Sequence, residues 1–471
     1  MTNTAWAVIL VALLCALTLY AGLFHRPVFL IALFHNVAWA GALALIGTNL
    51  VRYETFGAPA WWTLLAGLGA FNLGLFIWNW LVHFRAGRSK PRIESSRGIA
   101  ILSRRTLVAL SLLYGVGFAV YLINIANRFG LATMFADPKS IRGFIGESYL
   151  ASVPLPARIL LYLGPLLFGL LGLRGAIDQP IALRWRLLAM LALGVSMLAM
   201  LQRTNIFMAI LLLVAAALTQ LAPDRNSAVP NAQNVKLLFS RSLSARWKPL
   251  LVVVVLVIAS GIAFQVVGSA LGKSGQQAIQ SGSVSSTLAD SRLTPVFVYY
   301  TGSTVAFLNL TESKDPSWPP AHQNGVDTVG GYNPQTWGAV TFSPILKAIP
   351  GSRTFPSVEP FVDVGIQTNV YTWLEPLYRD FRIYGVVIGM LSAGLIVAGA
   401  FTTRFRSPAH FWFQAVVVSS VFLAPFITKI NDTLFLSELG FVLLLSLKWR
   451  SILNLGQSIF KGRAKSRLPR Q

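Results

Sequence analysis

Eleven apolar runs, most of them near the length that carries a helix across a bilayer core, divide this chain and leave it few ways to fold. A hydrocarbon core takes about 20 helical residues per crossing. Inside that core each backbone N–H and C=O must find its partner within the segment itself, which a helix provides. The runs fall at 5–23, 28–50, 60–82, 106–126, 157–173, 187–201, 206–221, 250–267, 384–401, 411–430 and 434–447. Only 12% of the residues are charged, about half the share usual in soluble domains. The expected fold class is an all-α polytopic membrane protein.

Charge sets the expected orientation, because Lys and Arg of short loops stay on the cytoplasmic side. With the N-terminus outside, the inner segments carry 25 of the 39 basic residues and, with Asp224 at the edge of one of them, three of the 16 acids. Those segments lie around Arg26, at 85–105, 174–186, 225–248 and 404–406, and at 448–470. The inner face then holds nearly all of the net charge of +23. Anionic lipid head groups account for such a basic face, so no nucleic-acid partner is expected. The first run has no basic residue before it and no small-x-small cleavage site, and is expected to be a retained helix. Cys15 stands alone, which excludes an internal disulfide and a cysteine-based zinc site.

The expected organisation is eight spans with basic cytoplasmic loops over 1–268, a large external loop over 269–382, three spans over 383–447 and a basic cytoplasmic tail over 448–471. The external loop is polar enough to fold in water. Within it, 293–310 is apolar enough to dip back as a re-entrant helix with Tyr299, Tyr300, Thr301 and Gly302 at its middle. The stretch 311–338 carries Pro, Gly, Asn and Asp turn signals and is expected to be irregular. The loop ends in a polar, aromatic run from Thr368 to Gly385 that is too dense in function-bearing side chains for a spacer.

No phosphate-cradling glycine loop and no dinucleotide fingerprint is present, so no nucleotide cofactor is expected. The five histidines are scattered without metal-ligand spacing, and no metal is expected. Only His322 lies in the long loop, where an imidazole is a candidate general base. Outer arginines are more informative, because topology does not require them there and the guanidinium fork matches pyrophosphate or carboxylate oxygens. Arg203, at the tip of a tight turn, leads this group; Arg142, Arg292, Arg353 and Arg379 follow, while Arg158 is expected to snorkel. Trp318, Tyr332, Trp337, Trp373 and Tyr378 are suited to stacking on sugars, although aromatics also belt membrane interfaces. Glu438 lies inside the last run, and an intramembrane carboxylate is a functional candidate by default.

These residues resemble the O-antigen polymerase type of oligosaccharide repeat-unit polymerase of bacterial envelopes. The resemblance rests on Asn369-Val370-Tyr371-Thr372, on Tyr378-x-Asp380-Phe381 and on Gly385 opening a helix. It also rests on Tyr300-Thr301-Gly302-Ser303, on Thr341-Phe342-Ser343-Pro344 and on Arg203-Thr204 before a span. Members of the family read Asp-Phe-Gly where Phe381 is here followed by Arg382, so a glycine-dependent turn does not carry over.

The resemblance implies a metal-independent glycosyltransferase of the helical C-type architecture in the bacterial inner membrane, with a periplasmic N-terminus and catalytic loop and a cytoplasmic C-terminus. Its substrates would be undecaprenyl-pyrophosphate-linked oligosaccharides, its surroundings membrane lipids, and a chain-length regulator its implied protein partner. The energy resides in the donor, which agrees with the missing nucleotide site. The candidate catalytic residues are Glu375, Asp380, His322 and Tyr378. The candidate substrate-binding residues are Arg142, Arg203, Arg292, Arg353, Tyr300, Asn369, Tyr371 and Arg379. Of the two acids, Glu375 is expected to meet the sugar and Asp380 to cap the helix that starts near Tyr384. Three rival functions use related parts: an O-antigen ligase with the same donor, a flippase for lipid-linked sugar, and a non-catalytic chain-length factor. The flippase would call for broken midplane helices and paired repeats, which the sequence lacks.

Overall fold

The computed structural model describes residues 1–21, 26–86, 102–136, 153–173, 176–178, 181–200, 203–221, 294–312, 338, 340–346, 362–365, 367–368, 370–402, 408–427 and 433–446. The expected apolar run at 250–267 lies outside them; the described parts of the other expected runs are helical over most of their length. The helices are α1 (Asn3–Ala21), α2 (Arg26–Gly47), α3 (Ala58–Ala86), α4 (Arg104–Phe129), α5 (Leu131–Ala136), α6 (Leu155–Leu161), α7 (Leu163–Gly172), α8 (Leu183–Ala199) and α9 (Arg203–Leu221). After them come α10 (Thr294–Glu312), α11 (Ser343–Leu346), α12 (Leu374–Thr402), α13 (Pro408–Leu423) and α14 (Thr433–Ser446). Five segments are long and apolar enough to cross a membrane: Asn3–Ala21, Ala58–Val82, Arg104–Phe129, Leu155–Gly172 and Leu374–Phe401. Four more apolar helices are shorter, and the chain is a helical membrane-embedded protein.

Two details depart from uninterrupted helices. The run at 157–173 is split at Tyr162, where ψ is −4°. Pro165 explains the break, because it has no N–H to give the Leu161 carbonyl and its ring crowds that carbonyl. A two-stranded antiparallel hairpin, β1 (Val362–Asp363) with β2 (Gln367–Thr368), is the departure from an all-α fold among the described residues. Its Gly365, at φ 89°, lies so close to the Arg52 carbonyl that a Cβ would come within 2.8 Å of it.

Two apolar cores form. One joins α1, α2, α3, α10 and α12 around Trp39, Trp61, Phe71 and Phe307. The other joins α4, α6 to α9, α13 and α14 around Tyr121, Leu166 and Trp412. In the first core α3 and α12 run parallel and touch backbone to backbone, since a Cβ on Gly74 would strike the Leu391 carbonyl and one on Gly394 the Phe71 carbonyl. Small residues permit that approach where no hydrophobic force drives helices together in lipid. A polar seam crosses the same core. Asn36 donates to Thr18 Oγ1 at 3.0 Å and exchanges bonds with Asn72 at 3.0 and 3.1 Å, while the His35 ring stacks on Phe71 at 4.0 Å.

The connections gather at two ends. At one, Asn3 bonds Glu54 O and Phe56 N, the Glu312 carboxylate accepts from Gly57 N, and Trp373 N donates to Ala424 O at 2.9 Å. At the other, Leu102 pairs with Ile177, Asp178 accepts from Arg104 N at 2.9 Å, and Arg186 donates to the Leu171 and Gly172 carbonyls at 2.8 Å. Among the described residues, the first end joins parts of segments that charge assigns to the outside, and the second joins parts of 85–105 and 174–186, assigned to the inside.

Candidate functional site

The site is built on the first two turns of α12. Thr372 starts the helix: its carbonyl accepts from Glu375 N at 3.1 Å and its hydroxyl from Leu374 N at 3.3 Å. Pro376 then sits within the first turn, where a missing N–H costs little. At Arg382 the chain leaves helical geometry, with φ 56° and ψ −148°, before α12 resumes. The break is a reversal. Leu377 packs its side chain 2.7 Å from the Cβ position of Gly389, although twelve residues of continuous helix would separate them by about 18 Å. Residues 374–381 therefore form an arm folded back against the start of 383–402, with Gly385 and Gly389 making room for Leu377.

Arg382 thus occupies a backbone region that glycine tolerates and other residues enter at a cost of about 1–3 kcal/mol. The reversal is made by an arginine in a conformation that favours glycine. Its guanidinium lies over the Tyr378 ring, 5.3 Å from the centroid.

Within the arm, Glu375 and Arg379 are one turn apart and form an ion pair, with side-chain exposures of 0% and 2%. The Arg379 guanidinium also stands 5.3 Å from the Tyr371 ring centroid. The pair cancels both charges in a buried setting, which turns Glu375 and Arg379 towards holding the arm together. Tyr378 donates its hydroxyl to Thr311 O at 3.3 Å and meets Phe307 edge-on at 6.0 Å, which docks the arm on α10.

Asp380 corrects a sequence expectation. It does not cap the helix that follows, because the arm is helical through Phe381 and the next helix starts only after the reversal. Its carboxylate instead accepts from Val340 N at 3.2 Å and Thr341 N at 2.7 Å. Charge-assisted bonds of this kind are roughly twice as strong as neutral ones. They tie the arm to a turn closed by Phe342 N on Gly338 O at 2.8 Å, with Gly338 at φ 89° so that Phe342 and Phe381 can cover it.

Tyr300 and its neighbours reach the same end from α10. The Tyr300 ring lies 4.0 Å from that of Phe426 and beside Gly41. Thr301 bonds the Tyr53 hydroxyl, and Ser303 donates to Pro425 O. Burial pushes the Tyr53 hydroxyl well above the ordinary tyrosine value, and the Thr301 bond opposes that only in part.

Tyr371, Glu375, Tyr378, Arg379 and Asp380 are thus brought together, with Tyr300 on the helix against which the arm docks, the acids and Arg379 as framework rather than as free groups. Arg203 opens α9, and its side chain lies outside the described residues. His322, Arg142, Arg292, Arg353 and Asn369 lie outside them altogether, as do Trp318, Tyr332 and Trp337. Glu438 is fully buried in α14. Sequence reasoning passed over Tyr53 and Glu312, and took Arg382 only as a departure from the family's glycine. The first had a usable signal, since Arg52-Tyr53-Glu54 puts charge and an aromatic into a short outer link between apolar runs. Among the described residues no three His, Cys, Asp or Glu side chains converge on a metal-sized gap. No family model, no curated protein and no solved structure matches the chain.

Proposed function

We propose that this chain is a glycosyltransferase that polymerises undecaprenyl-pyrophosphate-linked oligosaccharide repeat units into O-antigen or a related surface polysaccharide. The reaction takes place on the periplasmic face of the bacterial inner membrane, in a bundle of eleven spans with C-type architecture. The observation that carries the reading is the meeting of two separate motif segments beside the helix that carries a third. Asp380 of the Tyr-x-Asp-Phe segment holds the amides of Val340 and Thr341, at the head of Thr341-Phe342-Ser343-Pro344. Tyr378 of the same segment docks on the helix that carries Tyr300-Thr301-Gly302-Ser303. Segments with no local reason to meet form one framework at the end of the bundle assigned to the outside.

In this reaction the acceptor hydroxyl attacks the anomeric carbon of the donor glycan, the bond to the carrier breaks, and undecaprenyl pyrophosphate departs with the electron pair. One of Glu375, Asp380, Tyr378 and His322 takes the hydroxyl proton. A carboxylate balanced by a guanidinium is a poor base, so Glu375 serves only when its pair with Arg379 opens. Arg203, Arg142, Arg292 and Arg353 are the proposed partners of the leaving pyrophosphate, whose charge positioned cations stabilise.

Comparing surface glycan of a deletion strain with that of its parent tests the reading. A single repeat unit on lipid A core is the expected result. Loss of all glycan from the core points instead to a ligase, accumulation of unflipped precursor on the cytoplasmic face to a flippase, and an unchanged ladder rejects all three.

A further inference from the structure

Arg382 is the only non-glycine residue inside a described helix with positive φ, at 56° with ψ −148°. A glycine would make the same reversal without strain, since the crowding comes from the Cβ. Fold alone therefore does not account for an arginine here, and strain of this kind marks positions held for another purpose. The side chain supplies an independent observation. Arg382 is half-buried, its guanidinium lies over the Tyr378 ring, 5.3 Å from its centroid, and it has no acid partner among the described residues. Arg379, three residues earlier, is by contrast neutralised by Glu375. Stacking uses the face of the guanidinium and leaves the N–H groups along its edge free for an oxyanion.

Position narrows the oxyanion. Ile383, Tyr384 and Ile388, which follow at once, are 40%, 74% and 63% exposed on a helix of the bundle surface. Apolar side chains so exposed in a membrane protein face acyl chains, so Arg382 stands at head-group level where the oxyanions are lipid phosphates. An arginine that only anchors to bulk phospholipid finds head groups from any conformation and needs no strained backbone. We propose that Arg382, braced by Tyr378, is a binding subsite for the phosphate oxygens of one defined lipid, the diphosphate carrier of the donor; this identification rests on the polymerase reading.

The test uses the full chain in phosphatidylcholine nanodiscs, titrated with undecaprenyl pyrophosphate and followed by native mass spectrometry. Arg382→Gly should leave the ligand-free melting temperature equal or higher, while the dissociation constant rises about tenfold or more through loss of a charge-assisted fork. Arg382→Lys, which keeps the charge and lacks the planar fork, should weaken binding too, and it covers the case in which the glycine variant is poorly produced. Unchanged affinity in both variants overturns the proposal. An equal loss of affinity for phosphatidylglycerol added to the same nanodiscs also overturns it and makes Arg382 a lipid anchor. If the deletion strain keeps its full glycan ladder while Arg382→Gly still loses the carrier, the subsite stands and the polymerase reading falls.

Discussion

Glu375 and Arg379 neutralise each other one helical turn apart, at 0% and 2% side-chain exposure, beneath the ring of Tyr371. Removing one partner leaves a buried charge uncompensated, which typically destabilises by about 3–5 kcal/mol. Glu375→Gln should therefore lower both the melting temperature and the amount of protein in the membrane. The double variant Glu375→Leu with Arg379→Met should recover most of that loss, because no lone charge remains. A single variant with parental melting temperature and abundance would show that the pair does not hold the arm.

Asp380 accepts from two amides, and an asparagine can accept through only one side-chain oxygen, setting its NH2 against the second donor. Asp380→Asn should cost about 1–3 kcal/mol locally. Hydrogen exchange read by mass spectrometry should find the amides of the 340–346 turn faster in the variant, with α1 and α4 unchanged. Equal protection of that turn in both proteins would remove Asp380 from its proposed place.

Glycines of the bundle should divide by what their Cβ would meet. Gly394→Val drives a side chain into the Phe71 carbonyl and should destabilise by at least about 1–3 kcal/mol, the usual cost of overpacking. Gly115→Ala has nothing within 4 Å to strike and should be neutral. Fluorescence-detected size exclusion of heated membrane extracts ranks the two, and equal melting would contradict the close approach of α3 and α12.

Tyr53 should make the protein sensitive to alkali. Its hydroxyl is held above the ordinary value by burial, so the unfolded chain ionises first, near pH 10. Stability is present below that pH and is lost as pH rises towards the folded value. Tyr53→Phe removes this contribution, and the drop in melting temperature between pH 8 and pH 11 should be smaller than in the parent. An identical drop would place the Tyr53 hydroxyl in water.

Topology can be read with reporters. Fusions after Arg92, Asn231 and Lys465 should report cytoplasm, and one at Gly325 the exterior. A cytoplasmic signal at Gly325 would move the arm and its site to the other face of the membrane.

Hydropathy and charge are local and additive, and for that reason the sequence by itself determined that apolar helices form and that two basic links lie together. The run 60–82 is apolar whatever it packs on, and backbone bonding in lipid makes it α3. The basic loops 85–105 and 174–186 declare a shared side, and Leu102 and Ile177 do meet. The partners of individual polar groups depended on approaches between segments tens to hundreds of residues apart. Whether Asp380 caps its own helix or clamps Thr341 turns on the reversal at Arg382, and no local propensity puts an arginine in a glycine's conformation. Whether Glu375 is free or paired turns on the arm's burial against α10, and Tyr53 became part of the site only because Thr301 lies 248 residues on and against it in space. Such choices are made by tertiary packing, which decides the desolvation and geometry that fix a polar group's partner.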